Sequence, residues 1–219
     1  MSISINSGAA STNSAASTLT LSSTDATSGI FQMQFSCDNS TYSSLQAYAV
    51  SATWNLVTGS GCTTSQGNKT VFVRFRDVAG NTSSPISGTI VYDTLPPTTT
   101  GSITAGTLGN NANYTTSVTF SITPTDSTTG VASTQYCSDI ANICTPNINY
   151  TTPITLSTES QSNYVRFTST DNVGNIQMIQ SSGPIKIDLT DPVTSANNAS
   201  ASFYTTNPSI TLTSSDGGS

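Results

Sequence analysis

Thr24-Asp25-Ala26-Thr27-Ser28-Gly29 returns as Thr125-Asp126-Ser127-Thr128-Thr129-Gly130, and each copy leads into a strand-like run that ends in a cysteine, Cys37 or Cys137. A second pair of segments recurs further on. Val73-Arg74-Phe75, Gly80-Asn81 and Asp93 reappear as Val165-Arg166-Phe167, Gly174-Asn175 and Asp188. The offsets are 101 for Asp25 to Asp126, 92 for Val73 to Val165 and 95 for Asp93 to Asp188. A period of about 95 residues is too long for a solenoid unit and matches one β-sandwich. A third copy opens at Pro208-Ser209-Ile210-Thr211-Leu212-Thr213-Ser214-Ser215-Asp216. The 219 residues therefore divide into a repeat over 1–95, a repeat over 96–190 and a partial repeat over 191–219 holding its first two strands.

The composition fits exposed strand faces rather than disorder. Ser and Thr make up about 36% of the chain and charged residues 7%. Apolar residues alternate with polar ones in short runs bounded by Gly, Asn, Asp and Pro, and β-branched Thr favours a pleated surface. The alternation is plain in Leu19 and Leu21, in Val71, Val73 and Phe75, and in Val118, Phe120 and Ile122. A period of two, with turn residues every 8 to 12 positions, predicts an all-β sandwich in each repeat. Strands are expected near 3–6, 17–24, 30–37, 52–57, 69–77 and 86–92, then near 101–105, 117–123, 131–137, 153–157, 163–169 and 183–188. Asp77-Val78-Ala79-Gly80-Asn81 and Asp171-Asn172-Val173-Gly174-Asn175 read as hairpin loops, with glycine in the left-handed position and aspartate bonding backbone amides. Pro96-Pro97 and Pro192 restrict the junctions.

Four cysteines fall two to a repeat. In a sandwich the end of the third expected strand and the loop between the fourth and fifth lie at one pole, which permits Cys37–Cys62. The same geometry permits Cys137–Cys144 as a staple across the following loop. Loop-closure entropy assigns these bridges roughly 3.5 and 2.4 kcal/mol. Neither histidine nor a CxxC pair is present, so a zinc site is not expected. Disulfides place the chain in an oxidising, extracellular setting.

At this point the pattern resembles the bacterial and archaeal Ig-like (fibronectin type III-like) tandem repeats of large secreted and cell-surface proteins. The first repeat carries the likeness in Ile5-Asn6-Ser7-Gly8-Ala9-Ala10-Ser11-Thr12, Thr24-Asp25 with Gly29, Trp54-Asn55-Leu56 and Lys69-Thr70-Val71, and in Arg76-Asp77-Val78-Ala79-Gly80-Asn81 closing on Asp93 and Pro97. The second carries it in Tyr136-Cys137, Tyr164-Val165-Arg166-Phe167 and Asp171-Asn172-Val173-Gly174-Asn175. The second lacks the tryptophan, and both add cysteines that most such repeats lack. The resemblance implies tandem Ig-like/fibronectin III-like sandwiches serving as spacers, adhesin stalks, filament subunits or enzyme accessory modules.

Chemistry has little to work with. Without histidine no Ser-His-Asp or Cys-His arrangement can form, and Glu159 is the only glutamate. The chain is therefore expected not to be an enzyme. A net charge of −6 with five basic residues excludes a duplex-binding surface, so no nucleic-acid partner is expected. No run of 18 apolar residues spans a membrane, and Met1-Ser2-Ile3-Ser4-Ile5 carries no basic and apolar leader, so a leader has been removed or the chain was cut from something longer.

One metal hypothesis has geometry behind it: Asp93, Asp126 and Asp171 would gather at one pole and could hold calcium at the junction between repeats one and two. Asp188, Asp191 and Asp216 could do the same at the next junction. Each aspartate alone also serves as a turn cap. Trp54, Tyr42 and Tyr48 are the aromatics that could stack on sugars, although the neighbours of Trp54 turn it inward. Asn39, Asn68, Asn81, Asn113, Asn149 and Asn198 lie in N-x-S/T sequons. Eighteen asparagines in a chain this rich in Ser and Thr produce about six by chance, so glycosylation rests on location alone. The leading expectation is a non-catalytic segment of an extracellular repeat array whose partners are neighbouring repeats or identical subunits. The alternatives are a self-assembling filament subunit that pairs its terminal strands, and a carbohydrate-binding accessory module that meets cell-surface or extracellular glycans.

Overall fold

The computed structural model describes residues 1–196 and 209–216. The first repeat folds as β1 (Ser2–Ile5), β2 (Ser11–Thr12), β3 (Ala16–Ser22), β4 (Ile30–Ser36), β5 (Gln46–Ala47), β6 (Ser51–Asn55), β7 (Gly67–Asp77) and β8 (Ile86–Tyr92). The second folds as β9 (Thr98–Ala105), β10 (Asn113–Tyr114), β11 (Val118–Thr125), β12 (Val131–Asp139), β13 (Ile148–Asn149), β14 (Ile154–Leu156), β15 (Ser160–Asp171) and β16 (Gln180–Ile187). In the first, β1-β3-β6 faces the sheet β2-β8-β7-β4-β5; in the second, β9-β11-β14 faces β10-β16-β15-β12-β13. The two topologies are the same strand for strand. Both are all-β sandwiches, as the alternation predicted.

The strands missing from the sequence reading, β2, β5, β10 and β13, are each two residues long. A pair of residues cannot show a period. β1 and β2 are one run that changes sheets: it is antiparallel to β3, kinks, then pairs in parallel with β8. The kink takes Asn6, Ser7 and Gly8 through φ of 47°, 59° and 86°. Asn6 tolerates that region better than most residues, and its side-chain oxygen accepts the Thr18 amide at 2.9 Å.

Two apolar clusters form, one per repeat. Leu19, Met33, Phe35, Leu56, Val71, Val73 and Phe75 are buried in the first. Val118, Phe120, Ile154, Val165, Phe167 and Ile187 are buried in the second. The hairpin loops fix the correspondence between β7 and β15. Aligning Asp77 with Asp171 matches Val73 to Phe167 and Phe75 to Ser169, so the Val-Arg-Phe recurrence sits two residues out of structural register. A slip of two leaves every side chain on its own face, which is why the pattern still read correctly.

The true register exposes an exchange. Met33 and Phe75 are cross-strand partners in the first core. At their places the second core has Thr134 and Ser169, whose hydroxyls lie 2.8 Å apart, and Thr99 completes the set with a 2.7 Å bond to Ser169. All three are buried, and each hydroxyl is satisfied.

Contact clustering yields two compact units. The first is Met1–Pro97 with Thr125–Ala132 and Thr170–Ile176; the second is Thr98–Pro124, Ser133–Ser169 and Gln177–Ser219. The boundaries near 95 and 190 thus differ from the compact units: two loops of the second repeat fold with the first unit. The partial repeat forms no unit of its own. Its β17 (Val193–Ala196) pairs antiparallel with β18 (Leu212–Ser215).

Phe167 is bulkier than its counterpart Val73, and the facing strand makes room with a glycine. A methyl group at Gly101 would overlap the rings of Phe120 and Phe167. Gly101→Ala is expected to destabilise the second unit by about 1–3 kcal/mol. Urea unfolding followed by tyrosine fluorescence would read this out, with the Trp54 signal of the first unit unchanged.

Candidate functional site

The loops that carry the recurring aspartates are built alike. Asp25 Oδ1 accepts the amides of Thr27 at 2.6 Å and Ser28 at 3.1 Å. Asp126 Oδ1 accepts those of Thr128, Thr129 and Gly130 at 3.1, 2.9 and 2.7 Å. In the hairpin loops, the Asn81 amide and side chain both donate to Asp77 at 2.8 Å. Asn175 repeats this toward Asp171 at 2.8 and 2.7 Å. The two loops are also tied to each other: Val78 N donates to the Gly29 carbonyl, and Asn172 N to that of Gly130, both at 3.2 Å. Gly80 and Gly174 take φ of 96° and 91°, the left-handed geometry that lets the loop close.

In the first compact unit, Asp93 is brought to this machinery. Its amide donates to the Thr12 carbonyl, which fixes the tail at the end of β8. Asp93 Oδ1 accepts the Leu95 amide at 3.1 Å, and Oδ2 accepts the Thr129 hydroxyl at 2.6 Å. Its carbonyl accepts the Asn175 side-chain amide at 3.0 Å. Gln66 grips the next residue, accepting the Thr94 amide at 2.9 Å and donating to its hydroxyl at 2.8 Å. One carboxylate oxygen from each of Asp93, Asp126 and Asp171 then lies within 4.8 Å of the others. Asp93 is 0% exposed and Asp171 2%. The structure thus brings together the three aspartates singled out from sequence. Thr129 and Asn175, which fasten the tail, were given no role there, although both stood in the quoted loop motifs.

Three hard carboxylate oxygens suit calcium in kind, with carbonyls and water to complete six to eight ligands. Four of the chain's five basic side chains are engaged elsewhere. Lys69 donates to the Thr63 carbonyl at 2.6 Å and lies 5.7 Å from the Tyr92 ring centre. Arg74 stacks on Tyr42, Arg76 donates to the Gly80 carbonyl, and Arg166 donates to the Cys144 carbonyl. Burial pulls the Lys69 ammonium below its ordinary pKa. Of the second aspartate set, Asp188, Asp191 and Asp216 line one polar cavity with Asn110 and Asn113.

The structure pairs Cys37 with Cys62 and Cys137 with Cys144, the Cα atoms 4.8 and 6.2 Å apart. Asp38 seals the first bridge: its Oδ1 accepts the Ser36 hydroxyl and the amides of Ser40 and Thr41. Those donors, the Thr41 and Ser40 amides foremost, hold its carboxyl far below the usual range. The Thr27 and Ser28 amides lower Asp25, and the Asn81 side chain leads in lowering Asp77. Asp139 beside the second bridge is lowered too; desolvation pushes it up, but the amides of Ile143, Cys144, Asn142 and Ala141 outweigh that.

The three aromatics singled out from sequence are each engaged within the fold. Trp54 packs on the first core with its ring centre 5.4 Å from that of Phe35, and its Nε1 points at Cys37 Sγ. Tyr48 meets Phe75 edge-on, and its hydroxyl accepts the Ser23 amide. Tyr42 lies under Arg74, 3.8 Å from ring centre to guanidinium. Among the sequons, Asn39, Asn68, Asn81 and Asn149 are exposed and Asn113 is half-buried, while Asn198 lies outside the described residues. Asn81 is spent on Asp77, Asn39 accepts the Tyr42 hydroxyl, and Asn113 accepts the Gln161 amide.

No family model matches the chain, and no curated protein does. Among solved structures it is similar to the fibronectin(III)-like modules of Clostridium thermocellum CbhA, at 11% identity and a TM-score of 0.38, over 82% of this chain and 91% of that one. It is also similar to chitinase ChiA74 from Bacillus thuringiensis, at 18% identity and a TM-score of 0.32, over 86% of this chain and 27% of that one. At these scores the likeness transfers no residue roles.

Asp38 has a depressed folded-state pKa, so its contribution is complete above the unfolded value of about 3.9 and fades as pH falls toward the folded one. With no histidine in the chain, the melting temperature is expected to stay level from about pH 5 to 8 and to fall below about pH 4. Asp38→Asn should melt lower than the parent at pH 7, with the gap closing toward pH 2. Calorimetry across that range checks both.

Proposed function

We propose that this chain is a non-catalytic structural segment of a multidomain extracellular protein, a stalk or spacer built from repeats. The observation that carries this reading is the Asp93 tail. The end of one repeat is not a loose linker; it is buried and hydrogen-bonded by Thr129 and Asn175 from the loops of the next. Pro96 and Pro97 follow at once and remove further freedom. Two disulfides and few Lys or Arg suit exposure to oxidants and trypsin-like proteases. A surface-fraction polypeptide from the source, several times 22.6 kDa and without free thiols, is the expected finding. Recovery from the cytoplasm with reduced cysteines would overturn it.

Calcium at Asp93, Asp126 and Asp171 belongs to the same reading as a rigidifying ion. Three like charges this close repel, and a divalent cation relieves the repulsion. Millimolar calcium is expected to raise the melting temperature of the parent and leave Asp93→Asn unmoved. An identical melting curve in chelator and in calcium would remove the ion from the proposal.

A second reading, a filament subunit with donated strands, is favoured by exposed apolar side chains at and beside β18. Ile210 and Leu212 are 61% and 69% exposed. Their counterparts Leu19 and Leu21, and Phe120 and Ile122, are all buried. Sedimentation velocity of the whole chain decides: concentration-dependent polymers lost in Ile210→Ser/Leu212→Ser support strand donation, and a monomer counts against it.

A further inference from the structure

The loop pair Asp126/Asp171 and the loop pair Asp25/Asp77 share their kind of aspartate cap, their glycine geometry and their backbone tie, although Asp126 caps three amides to the two of Asp25 and Asn172, where the other pair has Val78, adds a side-chain bond to the Thr129 carbonyl. The tail is the larger difference. The Asp126/Asp171 pair holds a tail, Asp93-Thr94-Leu95, and Asp171 is 2% exposed beneath it. The Asp25/Asp77 pair holds none, and Asp77 is only half-buried. In place of a tail the Asp25/Asp77 loops border an open cavity of about 220 Å³, lined by Ser23, Asp25, Ile30, Phe75, Asp77 and Asn81 with Met1 at its edge.

The donors that grip the tail have counterparts here. Ser28 stands where Thr129 gives its hydroxyl to Asp93. In the open pair that hydroxyl turns to Asp77 instead, and helps to lower its pKa. Asn81 stands where Asn175 gives its side-chain amide to the Asp93 carbonyl. Its Nδ2 bonds Asp77 at 2.8 Å, as Asn175 bonds Asp171, and an amide nitrogen carries a second hydrogen. We infer that the Asp25/Asp77 pole, through Ser28 and Asn81, is a docking site for the aspartate-bearing tail of another repeat of this kind. The tail's chemistry is fixed by the copy in hand: an extended segment with an aspartate two residues before an apolar one and a proline directly after, as in Asp93-Thr94-Leu95-Pro96. The segment Asp188-Leu189-Thr190-Asp191-Pro192 repeats the closing aspartate and the proline, one residue further apart and with leucine at the second place.

The inference rests on the repeat-array reading, and its test is separate from the localisation experiment. A copy of residues 90–99 is fused ahead of Met1 of the whole chain, which supplies the tail at high effective concentration. A second fusion carries alanine at the copied aspartate. Both are examined in chelator and in calcium, so that the ion's effect is read separately. The intact tail is expected to shift the Ser28 and Asn81 side-chain NMR signals and to raise the melting temperature of the first unit by about 4 °C or more over the alanine fusion. Ser28→Ala in the intact fusion should remove most of that gain. Equal melting of the two fusions, or signals at Ser28 and Asn81 that do not move, would overturn the proposal. A shift that survives the alanine change would do so too, because the aspartate would then not be what is recognised.

Discussion

Carboxylates turned back onto the amides of their own loops are the interaction on which the rest depends. Asp25, Asp38, Asp77, Asp126, Asp139 and Asp171 each accept at least two hydrogen bonds from donors within five residues. A chain in which 34% of residues are hydrophobic can supply little more than one apolar line per strand. Such strands hold register only if the connections between them are short and rigid. The aspartates make them so by replacing water at amides that no ladder satisfies.

This division of labour decides what could be read from sequence. The long strands were legible because Leu19-x-Leu21 and Val118-x-Phe120-x-Ile122 state their period outright. The sandwich followed from that alternation and from a repeat of the right length. β2 and β10 were not legible, since their pairing depends on a left-handed kink at Asn6-Ser7-Gly8 and on the neighbouring strand rather than on pattern. The two-residue error between β7 and β15 has a similar origin: side-chain identity favoured Val-Arg-Phe, whereas the loop aspartates set the register. The exchange of Met33 and Phe75 for Thr134 and Ser169 could not be foreseen, because a buried hydroxyl is tolerated only where its partner is present, and the partner lies 35 residues away.

The aspartate trio was legible for a different reason. Loops at one pole of a sandwich must approach one another, so Asp126 and Asp171 could be placed together from topology alone. Asp93 was harder, because a residue after the last strand has no pattern to bury it. Its burial comes from Thr12, Thr129 and Asn175, three residues scattered over the sequence. Trp54 shows the complementary case. Its size suggested a ligand platform, but its neighbours Thr53 and Asn55 turn outward on a strand, and the indole must then face Phe35 and the Cys37 sulfur.

A repeat that presents the same two loops at one end and an aspartate tail at the other has ends of complementary chemistry. Ends of this kind are heterologous, so the proposed joint can be repeated from one copy to the next. Within such an array each joint is stabilised by bonds that already exist as loop caps, so joining costs little extra ordering. The backbones of Thr129 and Asn175 are held by Asp126 and Asp171, as those of Ser28 and Asn81 are by Asp25 and Asp77. The tail therefore meets a loop frame fixed in advance, and besides its own few residues only the Ser28 hydroxyl, turned to Asp77, must reorient on docking. In the proposed array the joint would then rest on local turn chemistry repeated along the chain. A chain this short of apolar and charged residues can extend by that route, and it leaves its hydrophobic residues for the cores.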